Sequence, residues 1–190
     1  MTDDRTVQET DGWEVRARRV VLKTPVVTIS AGPALCKRSG REKEFYSLDF
    51  PDWVNVIART PDRQLVLIRQ FRYGTERLEI EIPGGMINPG EDPVAAGCRE
   101  LLEETGYAGR NGRILGKVCP NPAIQRNTCY TVLVEEAVHL APPAFDEMED
   151  IDSLLCSENE IREMIDSGRL NHGLVLNALM FYWRQRHHVP

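Results

Sequence analysis

Residues 77–107, RLEIEIPGGMINPGEDPVAAGCRELLEETGY, constrain this chain more than any other stretch. They read as strand, tight loop and helix in immediate succession. In the first segment Leu78, Ile80 and Ile82 point one way and Arg77, Glu79 and Glu81 the other. Period-two alternation of this kind predicts a strand with one buried face and one charged face. The helix signals are complete. Asp92 is placed to cap the N-terminus, Pro93 takes the first helical position and Gly106 closes the C-terminus. At about 100° per residue, Val94, Cys98, Leu101, Leu102 and Thr105 fall on an apolar side, and Glu100, Glu103 and Glu104 on the other. Gly97 lies mid-helix at a cost of up to ~1 kcal/mol relative to Ala, which a close backbone approach from a neighbouring strand would offset.

The rest of the chain frames this unit. Its 190 residues, 42% hydrophobic, suit one domain or one domain with an extra module. Residues 1–12 are polar and acidic, without the basic start and apolar run of a signal peptide, and read as a loose tail. Residues 13–50 read as short strands, with a hairpin turn at Ser39-Gly40, and Pro51–Trp53 marks a boundary. WVNVIART and RQLVLIRQFRY look like core strands joined at Pro61-Asp62, and GRILGKVC and TCYTVLVEEAVHL supply two more. After the loop APPAFDEMEDIDSLLC, Ser157 and Glu160 form a capping box for a helix that Gly168 stops. A last helix runs from about His172 to Arg186. Strands around one internal and two terminal helices give a mixed α/β (α+β) class. The domain division that follows is 1–12, 13–50 and 51–190.

Charge and cysteines exclude some functions. A net charge of −6 argues against general nucleic-acid binding, and no apolar run is long enough to span a membrane. Five cysteines without CxxC spacing read as free buried thiols of a cytoplasmic protein rather than a zinc site.

Three glutamates on one helix flank repel one another. Next to them the loop EIPGGMINPGED can turn backbone carbonyls to the same place, and hard oxygen ligands so gathered suit Mg²⁺ or Mn²⁺. Arg99, four residues before Glu103, can pair with it and orient it.

Gly85, Glu91, Arg99, Glu100, Leu101, Glu103, Glu104, Gly106 and Tyr107 stand at the spacing G-x5-E-x7-R-E-U-x-E-E-x-G-U, where U is bulky and apolar. The chain thus resembles the Nudix hydrolases. The resemblance implies mixed sheets sandwiched between helices. It implies Glu100, Glu103 and Glu104 as metal ligands, with the Gly84 carbonyl as a further one, and Gly85, Glu91 and Arg99 as the residues that shape and tie the box. RQFRYG followed by LEIEIPGG, with Pro122 about fifteen residues beyond the box, is similar to the ADP-ribose pyrophosphatase and nucleoside-diphosphate-sugar branch. That branch implies Mg²⁺-dependent cleavage of a diphosphate to a nucleoside monophosphate and a sugar phosphate. It also implies a homodimer that exchanges an N-terminal antiparallel strand module, a place residues 13–50 can fill.

The branch implies a base from the loop PAFDEMEDID. Glu149 fits the D-x-x-E pattern that begins at Asp146; Glu147 is its rival, and Glu104 takes the role in other branches. Arg72 is the leading diphosphate contact, since a guanidinium fork suits phosphate oxygens; Arg69 and Arg77 are weaker candidates. Glu81 is a candidate for metal or substrate. Phe45, Tyr46 and Trp53 are candidates for base stacking, whereas Val26 and Val27 stand where the branch often has an aromatic residue. His172 reads as a helix-start cap, and Trp13 and Trp183 as packing residues. Two alternatives stay open. One is a hydrolase of another diphosphate, such as a GDP-sugar or a 5′-capped or triphosphate RNA end. The other is a sensor that binds such a ligand without cutting it.

Overall fold

The computed structural model describes residues 8–145 and 147–186, which pack as two compact units. The first comprises the chain up to Pro51 together with Cys119–Asn127. The second comprises Asp52–Val118 and the chain from Thr128 onward.

The first unit is an antiparallel sheet. Its strands are β1 (Gln8–Thr10), β2 (Trp13–Val15), β3 (Arg19–Lys23), β4 (Thr28–Cys36) and β5 (Arg41–Asp49). The central β4 pairs with β5 along its whole length, with β3 over Thr28–Ala31 and with β2 over Ala34–Cys36. The β4–β5 turn falls where Ser39-Gly40 places it, and Gly40 takes the left-handed φ of +65° that a glycine adopts freely. Within the stretch read as a loose tail, Gln8–Thr10 pair with β2; residues 1–7 lie outside the described residues. The segment Cys119–Asn127 joins this sheet through a bridge between Gln125 and Leu48 and an ion pair between Arg126 and Asp49.

The second unit holds two sheets and three helices. Strands β10 (Tyr107–Val118), β11 (Cys129–His139), β6 (Trp53–Ala58) and β9 (Gly84–Met86) make one sheet in that order, with β11 and β6 parallel. Strands β12 (Ile151–Cys156), β7 (Leu65–Arg72) and β8 (Arg77–Glu81) make the other. Alternation sorts the core. Val54, Val56, Ala58, Val66, Val132 and Val134 cluster with Ala96 and Leu101 of α1 (Pro93–Thr105). Ile57, Leu65, Leu67 and Leu133 cluster with α2 (Glu158–Asp166) and α3 (Gly173–Arg186). The strands are therefore covered by α1 on one side and by α2 and α3 on the other, an α+β sandwich as expected.

Five readings need correction. β12 runs through the segment read as loop, pairing with β7 from Ile151↔Gln70 to Cys156↔Leu65. On β8 the carboxylate face is the buried one, with Glu79 at 6% and Glu81 at 4% exposure while Leu78 is exposed. Ion pairs pay for that inversion: Arg77 binds Glu79 at 2.8 Å and Arg72 binds Glu81 at 2.7 Å. Helix α1 buries Ala96, Gly97, Leu101, Glu104 and Thr105, and leaves Cys98 and Leu102 exposed. Small residues let the helix sit close, and a Cβ at Gly97 would meet side-chain carbons of Val54, Val56 and Val132 at 3.2–3.3 Å. The close approach is made by valine side chains, not by backbone. Finally, all five cysteines are free, but Cys98 and Cys119 are exposed.

The signals at the two ends of α2 hold, whereas the one at His172 does not. Ser157 and Glu160 form the capping box, and Gly168 has a φ of +73°. The His172 carbonyl accepts from the Leu176 amide at 3.0 Å to begin α3, while its Nδ1 is buried without a partner, so the side chain is not the cap. Trp183 packs on the core with the Arg162 guanidinium 4.3 Å from its ring centroid. Trp13 is partly exposed and meets Phe45 edge-on at 6.1 Å.

Candidate active site

The site is built where α1 lies against β9. Asp92 accepts from the amides of Val94 and Ala95, and Gly106 ends the helix with a φ of +71°. These two caps fix which residues of α1 face β9. β9 pairs with the start of β6, Gly84 opposite Asn55 and Gly85 opposite Val54. The glycines permit close packing. A Cβ at Gly84 would lie 2.3 Å from the Val54 carbonyl oxygen, and one at Gly85 would lie 2.4 Å from the Glu100 carboxylate.

Arg99 is the hub. Its Nε and Nη2 grip both oxygens of Glu91 at 2.9 and 3.0 Å. Its Nη1 donates to Glu100 at 2.8 Å and to Glu103 at 3.0 Å, and its Nη2 also reaches the Met86 carbonyl at 3.1 Å. One guanidinium thus ties the loop, β9 and two helix carboxylates. The fork and the Asn88 amide hold the Glu91 carboxyl down at about 2, and the carboxylates raise Arg99 in turn.

Glu104 differs from its neighbours. It is 4% exposed, and the Gly84 amide donates to its Oε2 at 2.9 Å. Burial pushes its carboxyl up to about 8, with Glu100 and Glu149 adding repulsion. Burial likewise raises Glu100. Among the described residues no three Asp, Glu, His or Cys side chains already form a metal cage; Glu100 and Glu103 are turned to Arg99, and Glu104 to the Gly84 amide. The donors nevertheless fit a hard divalent cation. They are all oxygens, and a buried carboxylate with one N–H partner is costly until a cation compensates it.

The outer candidates separate. Arg72 donates from Nε and Nη2 to the two oxygens of Glu81, both at 2.7 Å, and Glu104 and Glu149 raise it further. Glu81 is therefore Arg72's partner. Arg69 pairs with Asp152 and Arg77 with Glu79. Glu149 is half-buried and interacts electrostatically with Glu100, Glu104 and Arg72, whereas Glu147 is exposed. Asp146 lies outside the described residues.

Phe45 and Tyr46 line a cavity of about 300 Å³ in the first unit, with Trp13, Arg18 and Pro122. Trp53 belongs to the second unit, where its Nε1 donates to the Asn55 side chain at 3.0 Å. The three candidate aromatics thus belong to two different units. Sequence reading missed Asn55. It is buried with its Nδ2 unpaired, and a polar residue between Val54 and Val56 was the available signal.

The NUDIX domain family model matches residues 50–177 of this chain. The chain belongs to the Nudix family. Among its Nudix relatives, the ADP-sugar pyrophosphatase of Mus musculus is 28% identical over 153 residues, covering 77% of this chain and 68% of that one. The ADP-ribose pyrophosphatase of Bacillus subtilis is 27% identical over 144 residues, covering 75% and 78%. A crystal structure of an ADP compounds hydrolase superposes with a TM-score of 0.81 over 97% of this chain and 99% of that one. At 20% identity that likeness establishes the shared fold. Nudix hydrolases work with divalent metal ions.

Proposed function

We propose that this chain is a hydrolase of the diphosphate bond of ADP-ribose or a related nucleoside-diphosphate sugar, yielding a nucleoside monophosphate and a sugar phosphate with Mg²⁺ as metal. The observation that carries this reading is the placing of Glu104 on the Gly84 amide and of Glu100 against Gly85, with Glu103 tied to Glu100 through Arg99 and Arg72 close enough for Glu104 to shift it. The names of the relatives supply the substrate class. A divalent ion bound there would neutralise phosphate oxygens and activate water. This reading gives the three glutamates and the Gly84 carbonyl to the ion.

The chain's own residues do the rest. Arg99 orients Glu100 and Glu103, and its grip on Met86 and Glu91 keeps the loop against the helix. Arg72 keeps Glu81 and offers Nη1 to the diphosphate. Glu149 takes the proton of the attacking water; its half-buried position near Glu100 and Glu104 supports it over the exposed Glu147. Chromatography of products from ADP-ribose, ADP-glucose, GDP-mannose, UDP-glucose and GTP, each with Mg²⁺, tests the reading. Monophosphates from the ADP compounds are expected. Binding without any cleavage under Mg²⁺ or Mn²⁺ would replace the enzyme by a sensor.

The same reading includes a homodimer that exchanges the strand module. In its support, every residue of β3 is exposed, including Val20, Val21 and Leu22. Apolar residues exposed along both faces of a strand are an association surface. Sedimentation at micromolar protein is expected to give the dimer mass; a monomer alone would refute the exchange.

A further inference from the structure

The far end of β6 carries a second constellation. Gly84 pairs with Asn55 near the start of the strand, and Arg59 follows its last residue, about 13 Å further along the strand. Arg59 Nη2 donates to Glu135 Oε1 at 2.7 Å. Arg113 Nη1 donates to Glu135 Oε2 at 3.1 Å, and its Nη2 to Gln185 at 3.1 Å. Arg63 lies on the turn after β6, where its amide donates to the Thr60 carbonyl at 2.9 Å, while its side chain makes no hydrogen bond or ion pair among the described residues. The three arginines, Glu135, Gln185 and Tyr182 surround a cavity of about 300 Å³, the lower end of the size range of small-molecule sites.

Three cations line the cavity against one carboxylate, an excess of two positive charges in a chain whose net charge is −6, and Glu136 beside Arg59 and Arg63 is already matched by Arg110 at 2.7 Å. Gathering like charges costs free energy unless an anion joins them. The backbone is strained at the same place. Arg63 has a φ of 69° and Glu136 one of 52°, a left-handed conformation that side-chain-bearing residues enter at a cost. Glu136 lies on a bulge. Arg59 bonds the Val134 carbonyl through its amide and the Ala137 amide through its carbonyl, both at 2.9 Å, so residues 135 and 136 lie between the two bonds.

We propose that this cavity is an anion site for a small molecule bearing a phosphate monoester, distinct from the carboxylate-rich site at β9. A phosphate dianion offers three oxygens to three guanidinium groups and cancels the two uncompensated charges. Arg59 and Arg113 stay aimed by Glu135, and Arg63 closes on the ligand.

Calorimetric titration of the whole chain with inorganic phosphate and with glycerol 3-phosphate tests this. EDTA is included so that no metal bridges phosphate to the β9 glutamates. One saturable site is expected in the unsubstituted chain. Arg63→Asn, a residue that tolerates the left-handed turn, should weaken it by about tenfold or more, and Arg113→Gln should weaken it too. Arg169→Gln removes a cation beyond α2 that bonds the Ser167 hydroxyl at 3.3 Å and does not line the cavity, and should leave affinity unchanged. The proposal is overturned by an absence of saturable binding, by unchanged affinity in Arg63→Asn, or by equal weakening in Arg169→Gln.

Discussion

Glu104→Gln is expected to lower kcat by roughly three orders of magnitude or more while the fold persists. The substituted side chain keeps an oxygen for the Gly84 amide, so the hydrogen bond at 2.9 Å has a like-shaped successor. What disappears is the negative charge that a cation needs. Stability should move the other way. The folded carboxyl lies at about 8, above the ordinary value of 4.5. The folded state therefore holds a proton that the unfolded chain has released, and the stability this lends is lost as pH rises from about 4.5 through about 8. Glutamine lacks that dependence. In EDTA, the melting temperature of Glu104→Gln relative to the unsubstituted chain should climb between pH 5 and pH 8.5. Turnover equal to the unsubstituted chain would remove Glu104 from the metal site.

Glu149→Gln is expected to cost about 10²- to 10⁴-fold in kcat, the usual worth of a general base, and Glu147→Gln far less. The two carboxylates lie two residues apart on one segment, so local charge is matched between the variants. Position separates them: Glu149 reaches the field of Glu100, Glu104 and Arg72, and Glu147 faces solvent. Rates across pH 6–9 provide a second readout. Loss of the acidic limb, along which activity climbs as a base gives up its proton, marks a missing proton acceptor in Glu149→Gln, whereas a uniform drop with the same profile marks lost positioning. The reverse ranking would move the role to Glu147.

Local signals survived into the structure because they act over a few residues. Asp92, Pro93 and Gly106 set the ends of α1, and Ser157 with Glu160 opens α2, through bonds that span a single turn. The spacing from Gly85 to Tyr107 likewise brought Arg99 to Glu91, Glu100 and Glu103. Features that depend on distant partners were not legible. Alternation on β8 found its two faces but not which one is inside, since Glu79 and Glu81 are buried only because arginines stand beside them. The apolar sum of α1 favoured Leu102 and Cys98, yet small residues pack closest to the valines of β6 and β11. In β12, Asp152 and Ser153 interrupt the apolar residues Ile151, Leu154 and Leu155 without a period-two pattern, and its ladder with β7 makes it a strand. Asn55 passed unnoticed within a core strand because its neighbour Gly84 is distant in sequence.

The fork between Arg72 and Glu81 has one further consequence. A long cationic side chain on a surface samples many rotamers and must surrender that freedom when an anion arrives. Here two of its nitrogens are already anchored on a buried carboxylate, so the entropic toll was settled during folding. The remaining edge of the guanidinium waits in a fixed direction. In the role proposed for Arg72, an arriving anion would meet a docking point that is rigid before contact, and its binding enthalpy would not go into stilling the arm that receives it.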